Sequence, residues 1–338
     1  AARDASPSAA EIERAAAFVD RLLARAIEHG ASDVHVEPTA SGTVVRVRID
    51  GVLRAATVRA SDSHASIVSR LKVLAQLDIA QRHAPQDGRF AIGSVDVRLS
   101  VVPVVHGEKA CLRLLDTQRG VPPLSELGFE REELARFLRM IRRPHGLLLV
   151  TGPTGSGKTT TLHAALRELP RDELNVVTIE DPVEHQLPGV SHIQVNPRRG
   201  LCFANALRSI LRQDPDVIMV GEVRDRDTGA LASEAALTGH LVLSSLHTGD
   251  AAEAVTRLGE MGVEPFALAP ALVGVVAQRL LRRVCTACRE LYVPDAAEVA
   301  ALGLPSLPEA TAFARGRGCA RCHGSGYAGR VAVREVLE

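Results

Sequence analysis

Residues 152–160, GPTGSGKTT, have the types and spacing of a loop that binds phosphate groups. A glycine, four residues and then Gly-Lys-Thr follow the apolar run 146–150, and this pattern is typical of the turn between a buried strand and a helix. Glycine lets the backbone bend so that successive N–H groups and the positive end of the helix point at phosphate oxygens. The nucleotide-binding candidates are therefore Gly152, Pro153, Thr154, Gly155, Ser156, Gly157, Lys158, Thr159 and Thr160.

Lys158 and Thr159 carry the most specific chemistry in this loop. The Lys158 ammonium would reach the β- and γ-phosphates of a nucleotide, and the Thr159 hydroxyl would hold Mg²⁺. Of the 40 basic residues only Lys72, Lys109 and Lys158 are lysine, and the others are arginine. Finding one of the lysines where a compact ammonium is needed favours a functional loop over a glycine-rich turn without a ligand.

The length and composition are those of an ordinary globular protein. At 338 residues the chain predicts two domains, and a hydrophobic fraction of 46% is enough for a core in each. The 40 basic and 40 acidic residues cancel, so nothing in the bulk charge attracts nucleic acid. No apolar run reaches the length of a membrane span and the start lacks signal-peptide organisation, so a cytoplasmic location is expected.

The hydrophobic pattern changes along the chain and divides it in two. Residues 1–118 group helical and strand-like segments into an α+β domain, and residues 119–126, with Gly120 and a Pro-Pro pair, predict a linker. Residues 127–338 alternate continuous apolar strands with helices. This alternation predicts an α/β fold with a parallel sheet that is buried on both faces.

Polar side chains follow the predicted strands at the points where ligands bind to such sheets. In open α/β sheets the ligand lies outside the carboxyl ends of the strands. Glu180 and Asp181 follow one strand, Glu222 follows the next, and His247 follows a third. Glu222 is the candidate for orienting or deprotonating the water that attacks the γ-phosphate, with a solvated loop carboxylate as the plainer alternative.

Four cysteines repeat a spacing that is typical of metal sites. Cys285 and Cys288 form one C-x-x-C unit, and Cys319 and Cys322 form a second. In an intracellular chain this pattern favours a tetrahedral thiolate zinc site over disulfides, with free thiols or another soft metal as alternatives. Four sulfur ligands leave no open coordination position, so the zinc would be structural. Cys111 and Cys202 stand alone and are expected to be small buried hydrophobes.

Several segments together resemble the secretion ATPases of type II secretion and type IV pilus assembly systems. The loop at 152–160 resembles the family's Walker A motif. The other matching segments are TIEDPVE at 178–184 (aspartate box), LRQDPDVIMVGEVRD at 211–225 (Walker B), TGHLVLSSLHT at 238–248 (histidine box), and ASDVHVEP at 31–38 with PQDGR at 85–89 in the N-terminal domain. The resemblance thus spans nearly the whole chain.

This resemblance implies a homo-hexameric motor that hydrolyses ATP with Mg²⁺. Each subunit would pair an N-terminal PAS-like domain with a RecA-like P-loop core, and ATP would sit between them. By similarity, Glu222 is the Walker B carboxylate, and Glu180 and Asp181 act around Mg²⁺ and its waters. His240 and His247 would sense the γ-phosphate, and a buried, satisfied imidazole is the alternative for each.

Arginines are candidates for coupling nucleotide state to movement. A cation that enters the γ-phosphate site from a mobile domain would make closure depend on ATP. Arg98 and Arg113 lie on predicted strands of the N-terminal domain, and Arg208 and Arg212 flank the predicted site from the core domain. With 37 arginines in the chain, a solubilising surface role is the alternative for each of them.

The four-cysteine module distinguishes branches of the family. It resembles the export and assembly ATPases, whereas pilus retraction ATPases generally lack it, and we favour type II secretion over pilus assembly. The family's partners are secretion-platform proteins at the inner membrane, which implies a peripheral location at its cytoplasmic face. Family members dock to them through further N-terminal domains, which this chain lacks.

Two other classes are compatible with a phosphate loop. A RecA-like nucleic-acid translocase would need a basic channel and aromatic stacking residues, yet the net charge is zero and aromatic residues make up 3%. A small-molecule P-loop kinase would need a second substrate pocket and no zinc module. No nucleic-acid partner is therefore expected.

Overall fold

The computed structural model describes residues 8–56, 63–116, 120–303, 307–308 and 311–338. The chain separates into two compact units, Ala1–Gly120 and Val121–Glu338. The linker predicted at 119–126 lies partly outside the described residues. Its later part packs into the second unit, because the side chains of Val121 and Leu124 are buried in that unit's core.

The first unit is a six-stranded antiparallel sheet with two helices. Its strand order is β3-β2-β1-β6-β5-β4. The elements are α1 (Ala9–Glu28), β1 (Asp33–Thr39), β2 (Gly42–Ile49), β3 (Val52–Ala55), α2 (His64–Leu74), β4 (Gln86–Ile92), β5 (Val95–Val104) and β6 (Gly107–Asp116). Ser8 and Glu11 form a capping box that starts α1. Apolar residues from one face of each helix share a core with alternate residues of the strands, such as Val34 and Val36.

The second unit is built on a seven-stranded sheet whose order is β15-β12-β7-β11-β10-β8-β9. All neighbouring strands are parallel except β12 and β15. Its elements up to the last parallel strand are α3 (Arg131–Ile141), β7 (Gly146–Thr151), α4 (Lys158–Arg167), β8 (Val176–Glu180), β9 (Val190–Gln194), α5 (Phe203–Ile210), β10 (Val217–Val220), α6 (Arg226–Leu237), β11 (Leu241–Leu246), α7 (Ala251–Glu260), α8 (Pro265–Ala271) and β12 (Leu272–Val284).

Both faces of this sheet are covered, as the continuous apolar strands predict. All six residues of β7 are buried; Leu147 and Leu149 join the core on one face, and Leu148 and Val150 join the core on the other. Because β7, β8, β10 and β11 are parallel, their carboxyl ends meet at one edge. The loops that follow these strands therefore lie beside one another.

The C-terminal part of the second unit adds a small ribbon and a long hairpin arm. Its elements are β13 (Arg289–Tyr292), α9 (Ala296–Ala301), β14 (Phe313–Gly316) and β15 (Tyr327–Leu337). Strands β13 and β14 pair with each other alone, whereas β15 returns antiparallel along β12. Among the residues described, no helix combines the length and apolar character that crossing a membrane requires.

Candidate functional site

The phosphate loop connects β7 to α4 in the strand-loop-helix arrangement that its sequence predicts. Helix α4 begins at Lys158, and its N-terminal cap, Gly157, has a φ of 86° that favours glycine. Gly152 has a φ of 144°, and a Cβ there would lie 2.3 Å from the backbone oxygen of Gln278. A side chain at residue 152 would therefore push the loop away from its neighbouring strand, which explains why the motif needs glycine here.

Lys158 lies inside the curve of this loop. Its Nζ donates hydrogen bonds to the carbonyl oxygens of Gly152 at 2.8 Å and Pro153 at 3.1 Å. The side chain is buried, and burial lowers the pKa of the ammonium while the carboxylate of Glu222 partly offsets this. A cation that is held by loop carbonyls and faces a carboxylate is well placed to exchange these partners for phosphate oxygens.

Gln278 on β12 holds the loop from the side, and sequence analysis missed it. Its Nε2 donates to the carbonyl oxygen of Ser156 at 2.8 Å, and its Oε1 accepts from the Thr161 hydroxyl at 2.9 Å. Gln278 is 2% exposed, so both bonds are shielded from water. Strand β12 pairs with β7 only as far as Ala277 and Thr151, and Gln278 is the next residue. A polar residue that interrupts the run VVGVVAQ is the signal that could have identified it.

Replacing Gln278 by leucine is expected to destabilise the loop and weaken nucleotide binding. The change leaves the Ser156 carbonyl and the Thr161 hydroxyl buried without partners, which costs about 1–3 kcal/mol. Denaturant unfolding and calorimetric titration with ADP would measure the two effects. Gln213→Leu is the matched control, because Gln213 is exposed and bonds only the adjacent carbonyl among the contacts described. Equal ADP affinity in wild type and Gln278→Leu would contradict the positioning role.

Glu222 and His247 meet Lys158 at the carboxyl edge of the sheet, as predicted. His247 lies between the other two, with its Nδ1 3.4 Å from Lys158 Nζ and its Nε2 3.5 Å from Glu222 Oε2. Since the ammonium can only donate, Nδ1 accepts and Nε2–H faces the carboxylate. The three side chains thus form a short chain of hydrogen-bonding groups around the position of a terminal phosphate.

Arg224, which the sequence analysis did not single out, links Glu222 to Asp181. Its guanidinium donates to Glu222 Oε1 at 2.5 Å and lies 3.8 Å from Asp181 Oδ2. Burial alone would raise the pKa of Glu222, but the hydrogen bond and charge of Arg224 together with His247 outweigh it and lower the pKa. Glu222 is therefore ionised at neutral pH, as a residue that orients or deprotonates water must be.

Glu180 has a different setting from Glu222, although both end a strand at this edge. It is 2% exposed, and its Oε1 accepts from the Thr178 hydroxyl at 2.6 Å and from His192 Nδ1 at 2.9 Å. Its Oε2 lies 3.2 Å from His163 Nε2. Burial would raise the pKa of Glu180, but the two imidazoles and the hydroxyl lower it to about 2. Its role around Mg²⁺ stays a prediction.

His240 lies at the other end of β11 from His247. Its backbone oxygen accepts from Gly146 at the start of β7, and its Nδ1 faces the carbonyl oxygen of Ala235 at 2.9 Å. The six residues of β11 separate it from the carboxyl edge by about 20 Å. A contact between His240 and a phosphate that is held by Lys158 of the same chain is therefore excluded.

The four predicted arginines are engaged with nearby groups of their own unit. Arg208 on α5 lies 3.4 Å from Asp227, and Arg212 donates to the Arg208 carbonyl at 2.8 Å. In the first unit Arg98 lies 3.6 Å from Asp96 and Arg113 lies 3.2 Å from Asp33. Arg98 and Arg113 are register partners on the sheet face that points away from the core of that unit. Their part in nucleotide chemistry stays a prediction.

The four paired cysteines come together as predicted. Their Sγ atoms are 3.9 Å apart for Cys285 and Cys319, 3.8 Å for Cys288 and Cys322, and 3.7 Å for Cys319 and Cys322. Four sulfurs at about 2.3 Å from a tetrahedral metal lie about 3.8 Å from one another, so the residues fit such an ion. These distances are far longer than a disulfide bond of about 2.05 Å.

Backbone N–H groups prepare one of these thiols for a metal. The N–H groups of Cys319 and Gly326 donate to Cys322 Sγ at 3.1 and 3.2 Å. Burial opposes ionisation, but these bonds lower the pKa of the Cys322 thiol to about 6. The two cysteines outside the cluster differ from this: Cys111 is half-buried on β6, and Cys202 is exposed. The prediction that Cys202 is buried was wrong, because the buried side of α5 begins only at Phe203.

A family model described as "Type II/IV secretion system protein" matches residues 8–338. The chain belongs to this family. Among its curated members, the type II secretion system protein HxcR of Pseudomonas aeruginosa is 50% identical over 95% of the chain. The type II secretion system ATPase E of Vibrio cholerae is 47% identical over 95% of the chain, and the type IV pilus assembly ATPase PilB of Thermus thermophilus is 47% identical over 99% of it.

The chain matches only part of the length of these family members. It spans 65% of HxcR, 64% of the Vibrio cholerae ATPase and 39% of PilB. Solved structures agree with the mixed α/β fold. The pilus retraction motor PilT, determined with bound ADP, is 32% identical with a TM-score of 0.63 and 79% of each chain covered. The ATPase DotB of Legionella pneumophila is 25% identical with a TM-score of 0.67, over 95% of this chain and 80% of that one.

Proposed function

We propose that this chain is the ATP-hydrolysing part of a motor for type II protein secretion. The observation that carries the proposal is the meeting of Lys158, His247 and Glu222 at the carboxyl edge of the sheet, beside the phosphate loop. These groups supply phosphate binding, an imidazole near the terminal phosphate and an ionised carboxylate for water. The names of the relatives support the same activity.

The reaction we propose is the attack of water on the γ-phosphate. Glu222 orients or deprotonates the water, Lys158 and the loop N–H groups bind the phosphates, and His247 reports the terminal one. The Thr159 hydroxyl at the start of α4 would hold Mg²⁺, which neutralises developing charge on the phosphate oxygens. Glu180 and Asp181 stay candidates for the surroundings of Mg²⁺.

The cysteine cluster would hold structural Zn²⁺. Its support is the tetrahedral spacing of the four Sγ atoms and the N–H donors at Cys322. When bound, zinc would supply a fixed junction between the ribbon of β13 and β14 and the hairpin of β12 and β15. Four thiolates leave it no position for substrate.

The finer features of the family are also part of this proposal. We expect a homo-hexamer, a RecA-like core in residues 127–338 and a PAS-like domain in residues 1–118. The antiparallel sheet with both helices on one face supports the second assignment. Secretion-platform proteins at the inner membrane would be the partners, and the chain would act at its cytoplasmic face. Arg98, Arg113, Arg208 and Arg212 are candidates for completing the site within or between subunits.

Pilus assembly is the second candidate, because PilB is as similar as the secretion proteins and matches 99% of the chain. Both candidates predict the same chemistry. Phosphate release from ATP and Mg²⁺, measured against protein concentration, is expected to rise per subunit as the chain assembles. Turnover that needs DNA would instead indicate a translocase, and transfer of the phosphate to an added acceptor would indicate a kinase.

A further inference from the structure

Three polar side chains form a buried cluster between helix α4 and strands β8 and β9. Glu180 lies at its centre, His163 comes from α4 and His192 from β9. Side-chain exposure is 0% for His163, 3% for Glu180 and 9% for His192. Their ligand atoms all lie within 4.8 Å of one another, so a metal ion and a network of hydrogen bonds are both compatible with the spacing.

The surroundings of His192 decide between these arrangements. The backbone N–H of Leu187 donates to His192 Nε2 at 3.0 Å, so this nitrogen carries a lone pair and no proton. In a neutral ring the proton then lies on Nδ1, which faces Glu180 Oε1 at 2.9 Å. A protonated nitrogen cannot ligate a metal. His192 is therefore a hydrogen-bond donor to Glu180, and a three-ligand metal site is excluded.

His163 faces oxygen acceptors at both ring nitrogens. Its Nδ1 lies 2.9 Å from the backbone oxygen of Thr159, and its Nε2 lies 3.2 Å from Glu180 Oε2. A carbonyl and an ionised carboxylate can only accept, so both nitrogens must carry protons for this bridge to form. Burial opposes the charge, but Glu180 overcomes it and raises the pKa of His163.

This bridge starts at the residue that is expected to hold Mg²⁺. Thr159 follows Lys158 in the first turn of α4, and Glu180 ends β8 beside the strand that leads to Glu222. Side chains that hold a metal-binding residue from behind typically change metal affinity or activity by about 10–100-fold when they are removed. The bridge links the helix that holds the phosphates to the sheet edge that supplies the carboxylates.

We propose that His163 is a positioning residue that fixes the first turn of α4 to Glu180 and thereby sets the Thr159 hydroxyl for Mg²⁺. The inference rests on the proposed ATPase activity. His163 does not touch the nucleotide in this mechanism. It acts through the Thr159 backbone, and its effect appears in the Mg²⁺ requirement of the reaction.

The test compares His163→Gln with wild type in steady-state ATP hydrolysis at varied Mg²⁺. Glutamine cannot donate to both oxygens at the ends of the bridge, so the Mg²⁺ concentration for half-maximal activity is expected to rise about 10-fold or more. KM for ATP at saturating Mg²⁺ is expected to change much less. His145→Gln is the matched control, since His145 is exposed just before β7. A lower kcat with an unchanged Mg²⁺ requirement would indicate a purely structural residue and overturn the proposal.

A second measurement needs no variant that folds. Nitrogen-15 NMR of the histidine rings at pH 7.5 is expected to show one ring, that of His163, with protons on both nitrogens. A His163 ring with one bare nitrogen would overturn the bridge. Metal analysis is expected to give equal metal content for wild type and His163→Gln, and the loss of one equivalent in the variant would show a metal ligand instead. Wild type without turnover would refute the ATPase, whereas wild-type kinetics in the variant would refute only the bridge.

Discussion

Replacing Glu222 by glutamine is expected to lower kcat for ATP hydrolysis by about 10²–10⁴-fold, the usual contribution of a general base. Glutamine keeps the size of the side chain and can still pair with His247, but it can neither take a proton nor balance the Arg224 guanidinium, which lies 2.5 Å away. ATP binding is expected to persist, because the loop and Lys158 are unchanged. Phosphate release and calorimetric titration with ATP and Mg²⁺ would measure the two effects separately.

Glu260→Gln is the matched control for this experiment. Glu260 ends α7, is 60% exposed and pairs with Arg257, so its loss should leave turnover unchanged. Full turnover in Glu222→Gln would remove the carboxylate from the mechanism. Loss of ATP binding in the same variant would show instead that Glu222 holds the site together, which its contacts with His247 and Arg224 would explain.

Removing the metal from the cysteine cluster is expected to have the largest effect on stability. Structural zinc contributes about 10–16 kcal/mol to folding in zinc-finger peptides. Even a third of that, about 4 kcal/mol, would lower the melting temperature of a unit of this size by about 10 °C. Cys288→Ser, or a strong chelator on wild type, should therefore shift the thermal transition by at least this amount.

Cys202→Ser provides the control, because Cys202 is exposed and lies apart from the four clustered thiols. It should melt like wild type and keep its metal. A Cys288→Ser protein that melts normally and still binds one zinc per chain would contradict the four-sulfur site. Cobalt substitution offers an independent check, since a tetrahedral thiolate site gives a characteristic absorption spectrum.

The parallel sheet and the phosphate loop could be predicted from the sequence because both follow from local patterns. Buried parallel strands are continuous apolar runs, and the glycines at 152 and 157 have backbone angles that few other residues adopt. The carboxyl-edge rule then placed Glu222 and His247 near Lys158. The same reasoning brought the four cysteines together, since their spacing is a signature of thiolate metal sites.

Residues that act through long-range contacts could not be predicted in this way. Gln278 lies 122 positions after Ser156, and only the pairing of β12 beside β7 brings them together. Glu180 and Glu222 look alike as strand-end carboxylates, yet β9 covers the first with His192, whereas the second stays half-buried. His240 illustrates the opposite error, since it was assigned by similarity to a motif and lies at the wrong end of β11 for its own chain's phosphate loop.

Strand β12 ties three parts of the second unit into one piece. It begins beside β7, contacts the phosphate loop through Gln278 and ends at Val284, immediately before Cys285. A shortened protein that stops after α8 would keep GPTGSGKTT and Glu222 and yet lose one wall of the nucleotide pocket. Domain boundaries for expression, and any search for minimal catalytic fragments, should therefore be drawn beyond β15 and not at the last recognisable sequence motif.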